Sequence, residues 1–397
     1  MIFGHPLLFQ HSFSSGCVRP LMLFVILTGT GAMLGCATST PTSSNTIKDT
    51  SELVWPLPPE QPRIKFVRTL HSEDQIITPK STMSSLRSSL LGQPAESGRQ
   101  LKKPYAVHVD NKERVFVADS GWGKVLVFDE QNKSFSIWGT HGKGILAKPL
   151  GITSDGQGNI YVTDSVKQRV VVFDTDGEFL RAMGQKGELD RPIGIAVDDE
   201  RNRVYVVDSK AHHIVVYNKA GEHIDTLGKR GEKPEEFNWP TNIALSSSGN
   251  LYVTDSMNFR IQILKPDGTL HKTFGENGDG RGKFVRPKGI AVNSLGHIYV
   301  ADAAFNNIQI FDNEGTLLLD VGTHGSEPGH FILPAGLYID QQDRIYVADQ
   351  YNFRIQVFQY LKKENLETLN KNSANGDTAA SGKITQKHDH NDQEKES

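Results

Sequence analysis

Along residues 104–361 the chain repeats one pattern of apolar and polar positions. Short apolar runs ending in aspartate, such as Ile298-Tyr299-Val300-Ala301-Asp302, are followed by runs that alternate with a period of two, such as Ile261-Gln262-Ile263-Leu264. Glycine-containing turns separate them, among them Asp176-Gly177 and Asp267-Gly268. Period-two alternation between turn residues predicts antiparallel hairpins. Six segments align, beginning at Pro104, Pro149, Pro192, Pro240, Pro287 and Pro334, with spacings of 45, 43, 48, 47 and 47 residues. Each parses into four strands: a short small-residue strand, an apolar strand ending in aspartate, an alternating third strand, and a fourth ending near glycine. Four strands per 40–50 residues is one propeller blade. The predicted fold is therefore all-β, a six-bladed β-propeller over residues 61–361.

The last repeat runs out after its third strand, at Arg354–Leu361. An unpaired blade edge is an aggregation liability. Upstream of the first repeat lies Ile64-Lys65-Phe66-Val67-Arg68-Thr69-Leu70, an alternating strand with no local partner. The expectation is that 64–70 supplies the missing outer strand, with Phe66 beside Val357 and Phe358. Met83, Leu86 and Leu90 recur at helical spacing and predict a short amphipathic helix over about 82–92.

The repeats resemble the NHL family, within the TolB-like six-bladed propeller superfamily. The resemblance rests on the Pro-x-Gly-Ile start, the Tyr-Val-x-Asp strand end and the Asn-x-Arg-Ile-Gln third strand. Asp255-Ser256-Met257-Asn258-Phe259-Arg260-Ile261-Gln262 and Asp349-Gln350-Tyr351-Asn352-Phe353-Arg354-Ile355-Gln356 match best, whereas His213 and Asn307 stand where arginine is usual. The resemblance covers about residues 60–361 and implies a binding scaffold more readily than an enzyme.

The N-terminus changes the picture of where such a scaffold works. Arg19 precedes an apolar run from Leu21 to Leu34, too short to span a bilayer and of signal-peptide length. It ends in Met33-Leu34-Gly35-Cys36, which resembles a bacterial lipobox with Cys36 as the lipidated residue. The expected organisation is a lipoprotein signal peptide over 1–35, a Ser/Thr/Pro-rich tether over 36–60, the propeller, and a disordered polar tail over 362–397. Ala37 rather than aspartate after the cysteine resembles the sorting pattern for the outer membrane, facing the periplasm. Cys17 and Cys36 both precede the repeats, so the body has no disulfide framework.

The net charge of −3 gives no global pull toward nucleic acid. The six cations of the loops after the second strands are offset by six ring aspartates, so no nucleic-acid partner is expected. Those aspartates, Asp119, Asp164, Asp208, Asp255, Asp302 and Asp349, occur in every repeat and read as scaffold, satisfying backbone N–H groups and pairing with the cation five residues on. Asp110, Asp155, Asp198 and Asp340 read as turn residues. No Gly-x-Ser-x-Gly elbow, P-loop or His-Glu-x-x-His is present, so no catalytic residue, metal ligand or cofactor is assigned.

Residues that break the sixfold pattern are the candidates for function. On the inner strands these are the axis candidates His108, Asn242 and Tyr338, of which His108 and Tyr338 are either a contact at the seam between blades one and six or one edge of an axial site. On the loops joining second to third strands and one blade to the next, they are Trp122, Lys167, His212, Trp239, Arg281, Phe305 and Tyr351. Exposed aromatics among cations suit a protein or peptide interface. Phe259 and Phe353 recur at one position and are expected to tuck between blades. The functional expectation is a membrane-anchored scaffold for an envelope protein or peptide. The alternative is a metal-dependent lyase or hydrolase at the axis.

Overall fold

The computed structural model describes residues 53–77 and 99–362. Cys36, the helix expected over 82–92 and the tail beyond 362 lie outside them. Among the described residues no helix is long and apolar enough to cross a membrane.

Six antiparallel sheets form the blades. Blade one contains Pro104–Val109, Val115–Asp119, Lys124–Asp129 and Ser134–Trp138, in that spatial order. Blades two to five repeat the arrangement from Pro149, Pro192, Pro240 and Pro287. In blade six, Pro334–Ile339, Arg344–Asp349 and Arg354–Tyr360 are followed outward by Ile64–Leu70. Phe66 pairs with Phe358 and Leu70 with Ile355, as the alternation predicts. The backbone N–H of Leu361 also donates to the Arg63 carbonyl at 2.8 Å.

Part of the span expected as a tether, 36–60, is strand. Val54–Trp55 forms a fifth strand on Ile64–Leu70, and the Trp55 ring meets Phe358 edge-on at 5.7 Å. Two residues are too few to show an alternation, so the sequence pattern is silent about this strand.

The core lies between blades. Each interface packs second and third strands of neighbouring sheets through clusters such as Ile160, Val162, Val171 and Phe173 against Phe116 and Trp138. Inner strands approach so closely that side chains are excluded at some positions. A Cβ on Gly194 would stand 2.7 Å from the Asn242 Cα, and one on Gly336 would stand 2.7 Å from the Tyr105 carbonyl oxygen.

The two halves of the ring lock their inter-blade loops differently. In blades four to six a buried glutamine of the third strand clamps the loop leading into its own blade. Gln262 donates to the Glu236 carbonyl at 2.8 Å and accepts from Glu235 N–H at 3.0 Å. Gln356 does the same with His330 at 2.6 Å and Gly329 at 2.8 Å. Phe237, Phe284 and Phe331 fill the space below, all fully buried. In blades one to three the equivalent third-strand positions hold Leu126, Val171 and Val215, and the loops are pinned by Leu101, Leu146 and Leu189.

Candidate binding site at the propeller mouth

The ring aspartates take the scaffold role expected of them. All six are fully buried. Asp119 accepts from the N–H groups of Lys102, Lys103, Gly121 and Trp122 at 2.7–3.0 Å. Asp164, Asp208 and Asp302 accept from Lys148, Arg191 and Arg286 in the same way. These four carboxylates therefore sit beneath the residue that precedes the proline of their own repeat and hold its backbone in place, whereas Asp255 and Asp349 hold the residue one earlier, Asn238 and Ile332. Burial pushes Asp255 and Asp349 above the usual carboxylate range despite their bonds to Arg260 and Arg354.

The pairing with the cation five residues on holds in blades four and six, where Arg260 and Arg354 lie 2.8 Å from Asp255 and Asp349. It fails in blades one and two. Lys124 instead donates to the Gly139 carbonyl at 2.9 Å, and Arg169 to those of Lys143 and Ile145. Donation to loop carbonyls is common to both halves of the ring, since Arg260 also reaches the Glu232, Lys233 and Glu236 carbonyls; the bond to the ring aspartate is what blades one and two lack.

Phe353 does not tuck between blades: it is 51% exposed, and Phe259 is only partly buried. Their recurrence has a backbone cause. The position is left-handed in every blade, with φ of 64° at Gly123, 55° at Gln168, 62° at His212, 55° at Phe259, 56° at Asn306 and 55° at Phe353. Recurrence here reports a turn geometry, not burial.

The loop candidates separate into two groups. Trp239 and Tyr351 stand at the rim of a cavity of about 680 Å³ that opens along the axis on the face expected from the parse. The others do not reach it. His212 is buried, accepting from Trp239 N–H at 3.1 Å with its ring against the indole at 5.3 Å. Lys167 caps the Ile145 carbonyl at 2.8 Å. Arg281 pairs with Asp320, with one nitrogen at 2.6 Å. Phe305 is partly buried. Trp122 donates to the Gln100 carbonyl at 2.8 Å and lies under the Lys102 ammonium at 3.8 Å.

The rim also contains residues that the pattern-breaking criterion passed over. Lys103, Lys148, Arg191 and Arg286 line the mouth together with Tyr105 and Lys288, above a floor of Leu150 and Ile193. In the register of the repeats, four of the six residues immediately before the proline are cations. That column was a readable signal. These cations lie outside the loops after the second strands, whose six cations are the ones offset by the ring aspartates.

None of Lys103, Lys148, Arg191, Arg286 or Lys288 forms an ion pair among the described residues. Two of them stand over aromatic rings: the Lys103 ammonium lies 5.2 Å from the Tyr351 ring centroid and that of Lys288 5.8 Å from the Tyr105 ring centroid. Burial holds the Lys288 ammonium down to about 8, with Arg286 and Lys103 lowering it further and Asp302 opposing them. Burial raises the Tyr105 hydroxyl, while Arg191 and Arg286 beside it pull the other way.

At the opposite end of the axis a second cavity of about 500 Å³ is lined by His108, Asn242 and Tyr338. The His108 and Tyr338 rings meet edge-on at 4.5 Å across the seam of blades one and six. His108 Nε2 lies 2.8 Å from Ser154 Oγ, while Nδ1 has no partner. Burial holds the imidazole down to about 3, so it is neutral at physiological pH. Asn242 turns back on its own strand, accepting from Ile243 N–H at 2.8 Å. Leu150 and Ile193 line both cavities, so an apolar waist separates the two ends. Among the described residues no group of three or more His, Cys, Asp or Glu side chains is placed to hold a metal ion.

This architecture is that of a six-bladed β-propeller. Five segments match the NHL repeat model, at residues 146–173, 189–217, 237–264, 284–311 and 331–358, so the chain carries NHL repeats in blades two to six. Each match runs from the loop-pinning Leu or Phe through the third strand. No curated protein matches the chain. Among solved structures, a gluconolactonase from Xanthomonas campestris is 16% identical, with a TM-score of 0.50 over 75% of this chain and 98% of that one. A streptogramin B lyase is 14% identical, with a TM-score of 0.50 over 68% and 85%. A Bacteroides thetaiotaomicron protein of unknown function is 18% identical, with a TM-score of 0.52 over 65% and 70%. At these identities the likeness shows the fold alone.

Proposed function

We propose that this NHL propeller is a membrane-anchored scaffold that holds a protein or peptide partner in the bacterial cell envelope. The observation that carries the reading is where apolar surface is left open. Trp122, Ile145, Val166, Trp239, Met257, Val285, Tyr351 and Phe353 are each more than a third exposed, and all lie on the loop face. On the turns and connections of the opposite face, among the described residues, only Leu57 and Leu295 are exposed to this degree. Exposed apolar patches with polar rims mark interaction surfaces. The lipobox-like Met33-Leu34-Gly35-Cys36 supports the anchor. More than one acyl chain would make it stable.

The test is site-specific photocrosslinking in intact cells. A photoreactive residue at position 239 should capture a partner that the same group at position 295 does not. Equal capture at both positions refutes the assignment of the face. Incorporation of labelled palmitate that survives Cys36→Ser refutes the anchor.

A metal-dependent lyase or hydrolase at the axis is the second reading. The close approach of His108 Nε2 to Ser154 Oγ favours it. Two features weigh on the other side. A neutral imidazole held so far below its ordinary range is a weak general base. The nearby carboxylates are engaged by their own turns: Asp155 by Gln157, Asn159 and Tyr161, and Asp340 by Gln342 and Arg344. Stoichiometric calcium or zinc that survives dialysis, lost in His108→Ala, would favour this reading over the scaffold.

A further inference from the structure

The mouth concentrates charge that the fold does not use. The whole chain is slightly acidic, with a net charge of −3, yet Lys103, Lys148, Arg191, Arg286 and Lys288 converge on one opening. The ring carboxylates Asp119, Asp164, Asp208 and Asp302 accept from the backbone N–H groups of Lys103, Lys148, Arg191 and Arg286, and among the described residues none of them forms an ion pair with these cations. Several surface cations elsewhere find partners, as Lys219 reaches Asp199 at 2.6 Å, Arg344 reaches Glu113 at 2.9 Å and Arg68 pairs with Glu130. What sets the mouth apart is that five cations unpaired among the described residues line one cavity. Like charges left unpaired at a concave, partly buried site repel one another, and an anion placed among them relieves that repulsion.

The remaining lining narrows the kind of anion. Tyr105, Trp239 and Tyr351 offer ring faces between the cations, and Leu150, Ile193 and Leu333 offer an apolar floor. A free inorganic anion would use the rim and leave the floor wet. A polymer with acidic groups flanking an apolar side chain would use both. The Trp239 backbone is held in the left-handed region at φ 49°, fixed by its bond to His212, which projects a large ring at the rim at some backbone cost.

We propose that the mouth binds an acidic protein segment, its carboxylates on Lys103, Lys148, Arg191, Arg286 and Lys288 and an apolar side chain on the Leu150–Ile193 floor. The proposal rests on the partner-binding reading and names the chemistry of the partner. Arginine supplies a fork for bidentate carboxylate contacts, and the lysines act as point charges.

The experiment is fluorescence anisotropy on the folded chain with a labelled Glu-Glu-Phe-Glu-Glu peptide. Controls are the Gln-Gln-Phe-Gln-Gln peptide, a ten-residue thymidine oligonucleotide and phosphatidylglycerol vesicles. The acidic peptide should bind, the glutamine peptide should not, and added salt should weaken binding. The double variant Lys148→Gln/Arg191→Gln should weaken it about tenfold to a hundredfold, the loss of one or two charge-assisted bonds. Both residues are exposed and free of ion pairs, so the melting temperature should hold and report intact folding. Lys112→Gln, on an exposed turn of the opposite face, should leave peptide binding unchanged. Equal binding of both peptides, no binding of either, or an unchanged affinity in the double variant overturns the proposal. So does selective binding of the oligonucleotide or the vesicles. Should the peptide fail while position 239 still crosslinks a partner, the scaffold reading survives and the acidic chemistry alone falls.

Discussion

At the turn end of the axis, Asp110, Asp155 and Asp340 each accept two backbone N–H groups of their own turn, and Arg114 and Arg344 close the pairs on Asp110 and Asp340 at 2.8 and 2.6 Å. At the mouth, five cations of comparable density close on nothing. Charge at the turn end is structural, because removing a carboxylate there strands buried donors. Charge at the mouth is available, because removing a cation there strands nothing. The same count of ionic groups thus means stability at one end and recognition at the other, and only the partner of each group tells them apart.

The largest expected break in that contrast is Asp155→Ala. It leaves the N–H groups of Gln157 and Asn159 and the Tyr161 hydroxyl without their acceptor. The expected cost is about 2–3 kcal/mol in urea unfolding. Arg191→Gln at the mouth should stay within about 0.5 kcal/mol. A comparable loss in both variants would erase the distinction between the ends.

Lys288 sharpens it from the other side. Its folded-state value of about 8 lies below the ordinary 10.5, so the unfolded chain holds the proton more tightly. The penalty is fully present below about pH 8 and is relieved as pH rises toward 10.5. Lys288→Met should therefore melt higher than the wild type at neutral pH, by a margin that shrinks across that window. A margin independent of pH would mean that packing, not the desolvated ammonium, sets the difference.

His108 gives the smaller acid counterpart. Folded at about 3 against the ordinary 6.5, it contributes stability that is whole above 6.5 and is lost as pH falls toward 3. His108→Asn should lose less between those limits, read as the difference in melting temperature from the wild type. A parallel fall in both proteins would place the acid lability elsewhere.

The ring was legible in the sequence because repetition is its own control. Six prolines and six strand-ending aspartates at matched spacing leave little freedom, and the orphan strand 64–70 had one unpaired edge to fill. Val54–Trp55 was illegible because its evidence is tertiary: Trp55 packs on Phe358, far along the chain. The site was legible only in part. Trp239 and Tyr351 stood out as singular aromatics and do face the mouth. His212, Lys167 and Arg281 stood out equally and are occupied by local bonds that no spacing reveals. The mouth cations recur before the prolines, so a search for residues that break the repeat does not select them; the scaffold uses only their backbone N–H groups and leaves the side chains free.

Blade six is sewn from both ends of the described chain, and that has a consequence for biosynthesis. Ile64 is made early, and the strand that pairs with it begins 290 positions later, at Arg354. Until then one sheet edge waits unmated and the circle stays open. A product interrupted anywhere before Arg354 lacks the mate for its first long strand, so its circle has no means of closing.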